Sequence, residues 1–402
     1  MKKIYENGIV AFVALIHFVF IVDFMMVAPL GPDYVSALGA ENSDIGRVVA
    51  SYTLAAAFSS LLLAKFLDRF DRRNVIVIFL LGLSVTTILC AFSENIEQLI
   101  LFRFIAGLFG GPAATMGIAI VIDRVPEKRR GKAMGRVMSA FSISSIIGIP
   151  IALELSNQGG WQMPFFVVGG FIFIVAICFL FVFPPMKEHF VHQNEKQSRF
   201  LSLFFRKEAL VTYLMTITAM LSAFLIIPNI AAYMQFNLAF PRDDYSLLYF
   251  AGGVVSLVVM QLSGRNIDKC GMNLLGVLST VLIIAIVYTG FVAQPVILPA
   301  VGIFIGYMAA MSMRNVVSVS LSSMVPNDHE RAAFTSLNQS VSHFAAALGA
   351  LIGSYFLTVD EKGLLIGMDT LGLSAIGLSL FLPVCVYFLY GFVRRRQGVI
   401  GS

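Results

Sequence analysis

Charge is scarce in this chain. Lysine, arginine, aspartate and glutamate make up only 13% of its 402 residues, where an ordinary soluble domain holds about a quarter. That shortage excludes a water-covered globular fold. Cysteine is also sparse, and its four residues do not pair in sequence. Cys90, Cys178 and Cys385 fall in apolar runs and Cys270 falls in a basic loop, which excludes a disulfide framework or a zinc site. There is no G-x-x-x-x-G-K-[ST] loop, so the chain does not drive its own work with ATP. The five histidines, His17, His189, His192, His329 and His343, are scattered. No cluster of nucleophiles, acids or metal ligands gathers as a membrane-embedded enzyme would need. No cofactor and no metal are expected.

What the chain has in abundance is long apolar runs, at 58% hydrophobic residues overall. A bilayer core of about 30 Å takes about 20 helical residues to cross. Twelve runs qualify: 9–30, 46–66, 74–92, 96–122, 134–155, 163–184, 209–234, 246–264, 273–292, 297–321, 332–357 and 371–392. The first follows the basic head Met1-Lys2-Lys3 and is too long for the apolar region of a cleaved signal. The sequence therefore predicts an all-α integral membrane protein.

The cations give an orientation. The segments that share a side with the N-terminus hold 23 of the 28 Lys and Arg residues; the opposite side holds only Arg47, Arg242 and Lys362, and Arg103 and Arg314 lie within spans. Both termini are expected in the cytoplasm of a plasma (inner) membrane. The bias accounts for the net charge of +5 without nucleic acid as a partner.

The long polar segment 185–207 divides the spans six and six, giving units 1–184 and 208–402 joined by a cytoplasmic linker. The halves echo one another. Ala64-Lys-Phe-Leu-Asp68-Arg69-Phe-Asp71-Arg72-Arg73 is matched by Gly264-Arg-Asn-Ile-Asp268-Lys-Cys-Gly271-Met-Asn273, with the acids 268 − 68 = 200 residues apart. Val125-Pro126 and Val325-Pro326, each after the fourth span of its half, keep the same offset. Matched loops at one offset indicate two related six-helix bundles.

These loops resemble the G-x-L-a-D-r-x-G-r-k pattern of the major facilitator superfamily, with Ala64 and Asp71 standing at the two glycine positions of the first copy and Gly264 and Gly271 in the second. The "DRFDRR" form is similar to that of the drug–proton antiporter and sugar-efflux branch. Its R-x-x-x-G motif matches Arg103 and Gly107, with Gly110 beyond, and the span 5 Gly/Pro motif matches Gly148 and Pro150 in a G-x-P form. "GGWQMPFF" resembles G-W-R-x-P-F with Gln162 in place of Arg. The resemblance implies twelve transmembrane helices in two pseudo-symmetric bundles. It also implies a cytoplasmic latch built from Asp68, Arg69, Arg72, Arg73, Gly264, Asp268 and Gly271, with the small residues serving helix packing.

Ionisable residues inside spans are costly unless paired or wetted. At about 1.5 Å of rise per residue, Asp23 lies about 21 Å from the inner edge of span 1 and Arg103 about 10 Å from the outer edge of span 4. The two share a level in a core of about 30 Å, which makes them candidates for a protonatable pair. His343, beside Ser336, Gln339 and Ser340 on one helix face, is a weaker candidate for proton handling; a satisfied core histidine fits it better. His17 does not share a face with Asp23. Arg314 lies near the cytoplasmic edge and is expected to snorkel there. Glu154 falls at the outer rim. Asn229 and Tyr233, after Pro228, and Gln261 are candidates for a substrate cavity; structural kinks explain the same residues.

The leading function is a secondary transporter that exports a small organic solute against protons by alternating access. The alternatives are a proton-driven uptake symporter, a non-transporting receptor and a membrane enzyme. Its partners are then the solute, protons and the lipid bilayer, and a monomer suffices for such a fold.

Overall fold

The computed structural model describes residues 2–41, 44–67, 69–186, 206–326, 331–360 and 363–396. Asp68, His189, His192, His329, Lys362 and nearly all of the expected linker lie outside the described residues, as does the side chain of Asp268. The chain forms two compact units, Met1–Gln197 and Ser198–Ser402.

The first unit holds α1 (Lys2–Met25), α2 (Gly31–Leu38), α3 (Asp44–Leu67), α4 (Arg72–Cys90), α5 (Ile96–Arg124), α6 (Glu127–Ile143), α7 (Ile149–Gly159) and α8 (Gln162–Val182). A π-helical turn, Ser144–Gly148, joins α6 to α7. Pro150 follows at the start of α7. Its missing N–H and its ring disturb the preceding turn, and a wider turn absorbs the misfit. The second unit holds α9 (Lys207–Ala232), α10 (Tyr245–Cys270), α11 (Met272–Val287), α12 (Ala300–Met324), α13 (Arg331–Phe356), α14 (Met368–Ser379) and α15 (Phe381–Arg396). A two-residue antiparallel ladder, Thr358–Val359 with Leu365–Ile366, precedes α14.

Among the described residues, eleven helices or near-continuous helix pairs are long and apolar enough to cross a membrane. The remaining expected span, 332–357, is the continuous helix α13. Ser336, Asn338, Gln339, Ser340, Ser342 and His343 make it more polar than the rest. The last span is built from α14 and α15, which meet at Leu380 shortly before Pro383.

The pairing of helices repeats between the units. In the first, α3 packs on α5, α4 on α8 and α1 on α6; in the second, α10 packs on α12, α11 on α14 and α15, and α9 on α13. Both fourth spans end at a valine C-cap, Val125 and Val325, and 325 − 125 = 200. The two repeat loops nevertheless turn by different means. Gly271 has φ +80, which favours glycine. Its counterpart Asp71 keeps a negative φ and caps α4, its side chain accepting from the Arg73 N–H at 2.9 Å. A side-chain cap there supplies what glycine's backbone freedom supplies in the other half.

Candidate functional site

The first unit buries an ion pair. Asp23, in the last turn of α1, and Arg103, in the third turn of α5, are 0% and 1% exposed. Arg103 Nη1 donates to Asp23 Oδ1 at 3.0 Å, and Nη2 donates to the Asp23 backbone carbonyl at 3.3 Å. The Thr87 hydroxyl on α4 donates to the same Oδ1 at 2.8 Å. Tyr52 on α3 lies beneath the guanidinium, 4.3 Å from ring centroid to Cζ, a cation–π contact. Four helices therefore meet around one carboxylate, whose second oxygen, Oδ2, has no well-formed hydrogen bond.

Small residues allow this approach. A methyl at Gly107 would run into the Tyr52 carbonyl oxygen, and one at Gly110 into the Tyr52 hydroxyl. Gly148, in the π turn, lies against Val22, the residue before Asp23. Pro150 is half-buried just beyond it. Glycines at close helix crossings let backbones approach where side chains would hold them apart.

The loop residues at the other end of this unit are engaged within it. Arg72 pairs with Asp123 at the end of α5 at 2.9 Å and is almost fully buried. Asp71 accepts from the Met186 N–H at 3.0 Å, the Arg72 N–H donates to the Met186 carbonyl at 3.2 Å, and Arg73 Nη1 donates to the Phe183 carbonyl at 3.1 Å. Arg69 is exposed. In the second unit the expected loop is shorter than the repeat suggests: Gly264 lies within α10 with open space around it, and only Gly271, with φ +80, makes the turn.

Candidates in the second unit do not gather. Asn229 is fully buried in α9, and neither atom of its amide has a partner. Tyr233 donates to the Gly290 carbonyl at 3.3 Å and lines a cavity of about 190 Å³ with Asn237, Phe291, Gln294 and Asp369. Gln261 is exposed on α10 and is not part of that lining. Helix α9 continues past Pro228 and passes into a π turn, Tyr233–Asn237. His343 is buried beside Gln339, with 3.2 Å between Nε2 atoms. His17 is buried against the Val13 carbonyl, and Glu154 is exposed, accepting from Gln158 at 2.8 Å.

Arg314 overturns the snorkelling expectation. It is 4% exposed, donates to the Met311 sulfur at 2.8 Å, and leaves Nη1 without a partner. Its distance from the helix end is short enough to reach the edge, but the side chain turns inward.

Sequence reading missed Tyr52, Thr87 and Tyr34, which ring or approach the buried pair. One signal does point to Tyr52: Ala55, Ala56 and Ser59 follow it at helical spacing and mark the face of α3 that α5 packs against.

A profile described as the Major Facilitator Superfamily matches residues 13–220. The purine ribonucleoside efflux pump NepI of Shigella sonnei is 25% identical over 86% of this chain and 85% of its own length. Multidrug resistance protein 2 of Bacillus subtilis is 25% identical over 67% of this chain and 70% of its own. The match to the MFS-type transporter YwfA of the same organism, at 26% identity, spans only 40% of that protein's length. The crystal structure of a D-xylose–proton symporter superposes with a TM-score of 0.73 at 15% identity, covering 94% of this chain and 97% of the other; at that identity it speaks for the fold alone. The profile covers more than half of the chain and includes both Asp23 and Arg103, and the paired spans repeat between the units; this chain therefore belongs to the Major Facilitator Superfamily and is a membrane transporter, not an enzyme.

Proposed function

We propose that the chain is a proton-coupled exporter of a small organic solute, working by alternating access, with Asp23 as the titrating group and Arg103 as its counter-ion. The observation that carries this is the Arg103–Asp23 pair, 3.0 Å apart and removed from solvent. Burying two charges costs several kcal/mol each before their attraction is counted, so the pair is a costly device for holding helices together. It is well suited to a switch: a proton on Asp23 cancels the attraction and leaves a neutral acid beside a cation.

The proton then moves as follows. It binds the carboxylate when the site opens outward and weakens the hold on Arg103. It leaves when the site opens inward and the pair re-forms. Arg103 keeps its bond to the Asp23 carbonyl throughout, so the step changes charge more than position. The names of the efflux pump and multidrug resistance relatives support the outward direction and make a purine ribonucleoside the first solute to test. The same pair would serve an uptake symporter, and direction is what the assay reads first.

In this reading the protein sits in the plasma (inner) membrane as a monomer with both termini cytoplasmic. Residues 1–184 and 208–402 are its moving halves, 185–207 their linker. Arg69, Arg72 and Arg73, with Asp68, Gly264, Asp268 and Gly271, form the cytoplasmic gate loops. Asn229, Tyr233 and Gln261 are the C-terminal half's candidate solute contacts, and His343 is its candidate for proton handling.

The experiment is transport of a purine ribonucleoside, inosine, in liposomes of purified protein under an imposed pH gradient. Wild type should move inosine against its gradient with opposite proton flux. Asp23→Asn should retain counterflow and lose the gradient-driven component. Undiminished gradient-driven transport by Asp23→Asn would remove the coupling role.

A further inference from the structure

The geometry points to a separate binding site in the second unit: a pocket for a small organic ammonium ion, a primary amine of a few heavy atoms. It lies where α9 and α11 stop and α14 begins. The site belongs to one unit alone and stands whether or not Asp23 titrates.

Two π turns build it. Tyr233–Asn237 closes α9, and Tyr288–Val292 closes α11. Such wider turns are rare and recur at functional sites. Tyr233 and Asn237 come from the first turn and Phe291 from the second; with Gln294 and Asp369 they line the cavity of about 190 Å³. Asn237 fixes one wall. Its amide donates to the Leu365 carbonyl at 2.9 Å and accepts from the Leu365 N–H at 3.0 Å, so the short ladder is tied to the end of α9. Gly367 then turns with φ +100, a conformation that favours glycine. That turn starts α14 and brings Asp369 into the lining.

The lining selects a cation. Asp369 is the one charged side chain among its described residues. Tyr233 and Phe291 are the aromatic part, with ring centroids 5.3 Å apart, and ring faces attract an ammonium group within about 6 Å. Asn237 is engaged with Leu365. The Tyr233 hydroxyl donates to the Gly290 carbonyl at 3.3 Å and also hydrogen-bonds the Gln294 side chain. Its proton is used in the first bond, so the Gln294 amide donates in the second and keeps its carbonyl oxygen for a ligand. A carboxylate, an amide oxygen and two rings suit the N–H groups of a primary ammonium and reject an anion.

Size narrows the class. The volume equals that of about six water molecules at about 30 Å³ each, below the range of about 300–1,000 Å³ for pockets that hold drug-sized ligands. Ethanolamine fits and a purine ribonucleoside does not. Two sources supply such an ion, a soluble amine and the headgroup of an aminophospholipid; the exposed, apolar Ile366 forms part of the wall and gives a lipid access.

The experiment is binding of radiolabelled ethanolamine to the purified, delipidated full-length protein in dodecyl maltoside micelles. Wild type should bind saturably. Asp369→Asn should weaken binding on the order of tenfold or more, the scale of a hydrogen bond to a charged group. Phe291→Leu should weaken it by up to about tenfold, the scale of a cation–π contact. Asp243→Asn, at an exposed carboxylate outside the lining, should match wild type. Should the buried Phe291→Leu variant fail to fold, the exposed Asp369→Asn decides alone. Displacement by added phosphatidylethanolamine but not by phosphatidylglycerol identifies the lipid headgroup as the source, and indifference to both identifies a soluble amine; either result upholds the site. Displacement by both lipids alike, no saturable binding in wild type, or binding unmoved by Asp369→Asn overturns it. Inosine should leave ethanolamine bound; competitive displacement by inosine would make the cavity the solute's and overturn a separate site.

Discussion

Arg103 holds Asp23 twice, through carboxylate oxygen Oδ1 and through the residue's own backbone carbonyl. Only the first bond depends on the charge of Asp23. The second goes to a backbone carbonyl, whose acceptor strength does not depend on that charge. The carboxylate bond and the backbone bond are therefore separable by mutation.

Arg103→Ala should destabilise strongly, by about 3–5 kcal/mol, because it leaves a carboxylate buried without its cation. Asp23→Asn should cost less, since the amide keeps a group for Thr87 and the carbonyl bond survives. Thermal unfolding of the purified variants in detergent checks the order. In the double variant the two costs should fall well short of adding.

Gly107→Ala should cost about 1–3 kcal/mol by forcing α3 and α5 apart. Gly170→Ala is its control. That glycine is helical, and a methyl placed on it would meet nothing within 4 Å, so the change should be neutral or gain up to about 1 kcal/mol. Unfolding midpoints measured side by side separate the two.

Breaking the Arg72–Asp123 pair from either end should cost about 1.5–3 kcal/mol, as for a hydrogen bond to a charged group. Arg72→Asp combined with Asp123→Arg should recover part of that loss. A double-mutant cycle on thermal stability reads the recovery. Equal losses in single and swapped proteins would show that Arg72 acts by packing alone.

Arg314→Met should raise stability by about 1–4 kcal/mol, the range seen when buried charges give way to apolar side chains of similar size. The measurement is again an unfolding midpoint. A fall instead would mean that the guanidinium has a stabilising partner in the intact protein.

Much of the fold was legible because its signals are one-dimensional. Apolar run length gave the spans, and a 200-residue offset gave the repeat that ends at Val125 and Val325. Constant helical rise put Asp23 and Arg103 at one depth. What stayed dark depends on azimuth and on side-chain direction. Depth alone does not say that Tyr52 faces Arg103, nor that Arg314 turns away from the nearby edge. Tyr34 was hidden for another reason: it sits in a short helix after a turn, where periodicity is too brief to assign a face. Gln261 and Asn229 looked alike as polar residues in apolar spans, yet one is exposed and the other fully buried.

The bonds that Asp71, Arg72 and Arg73 make to Phe183 and Met186 staple the start of α4 to the stretch just beyond α8. The chain therefore leaves the first bundle from a clamped point. Any pull on the connecting segment arrives first at that clamp and at Arg72, whose other grip is Asp123. A load at Met186 is thereby shared with the adjoining ends of the third and fourth spans.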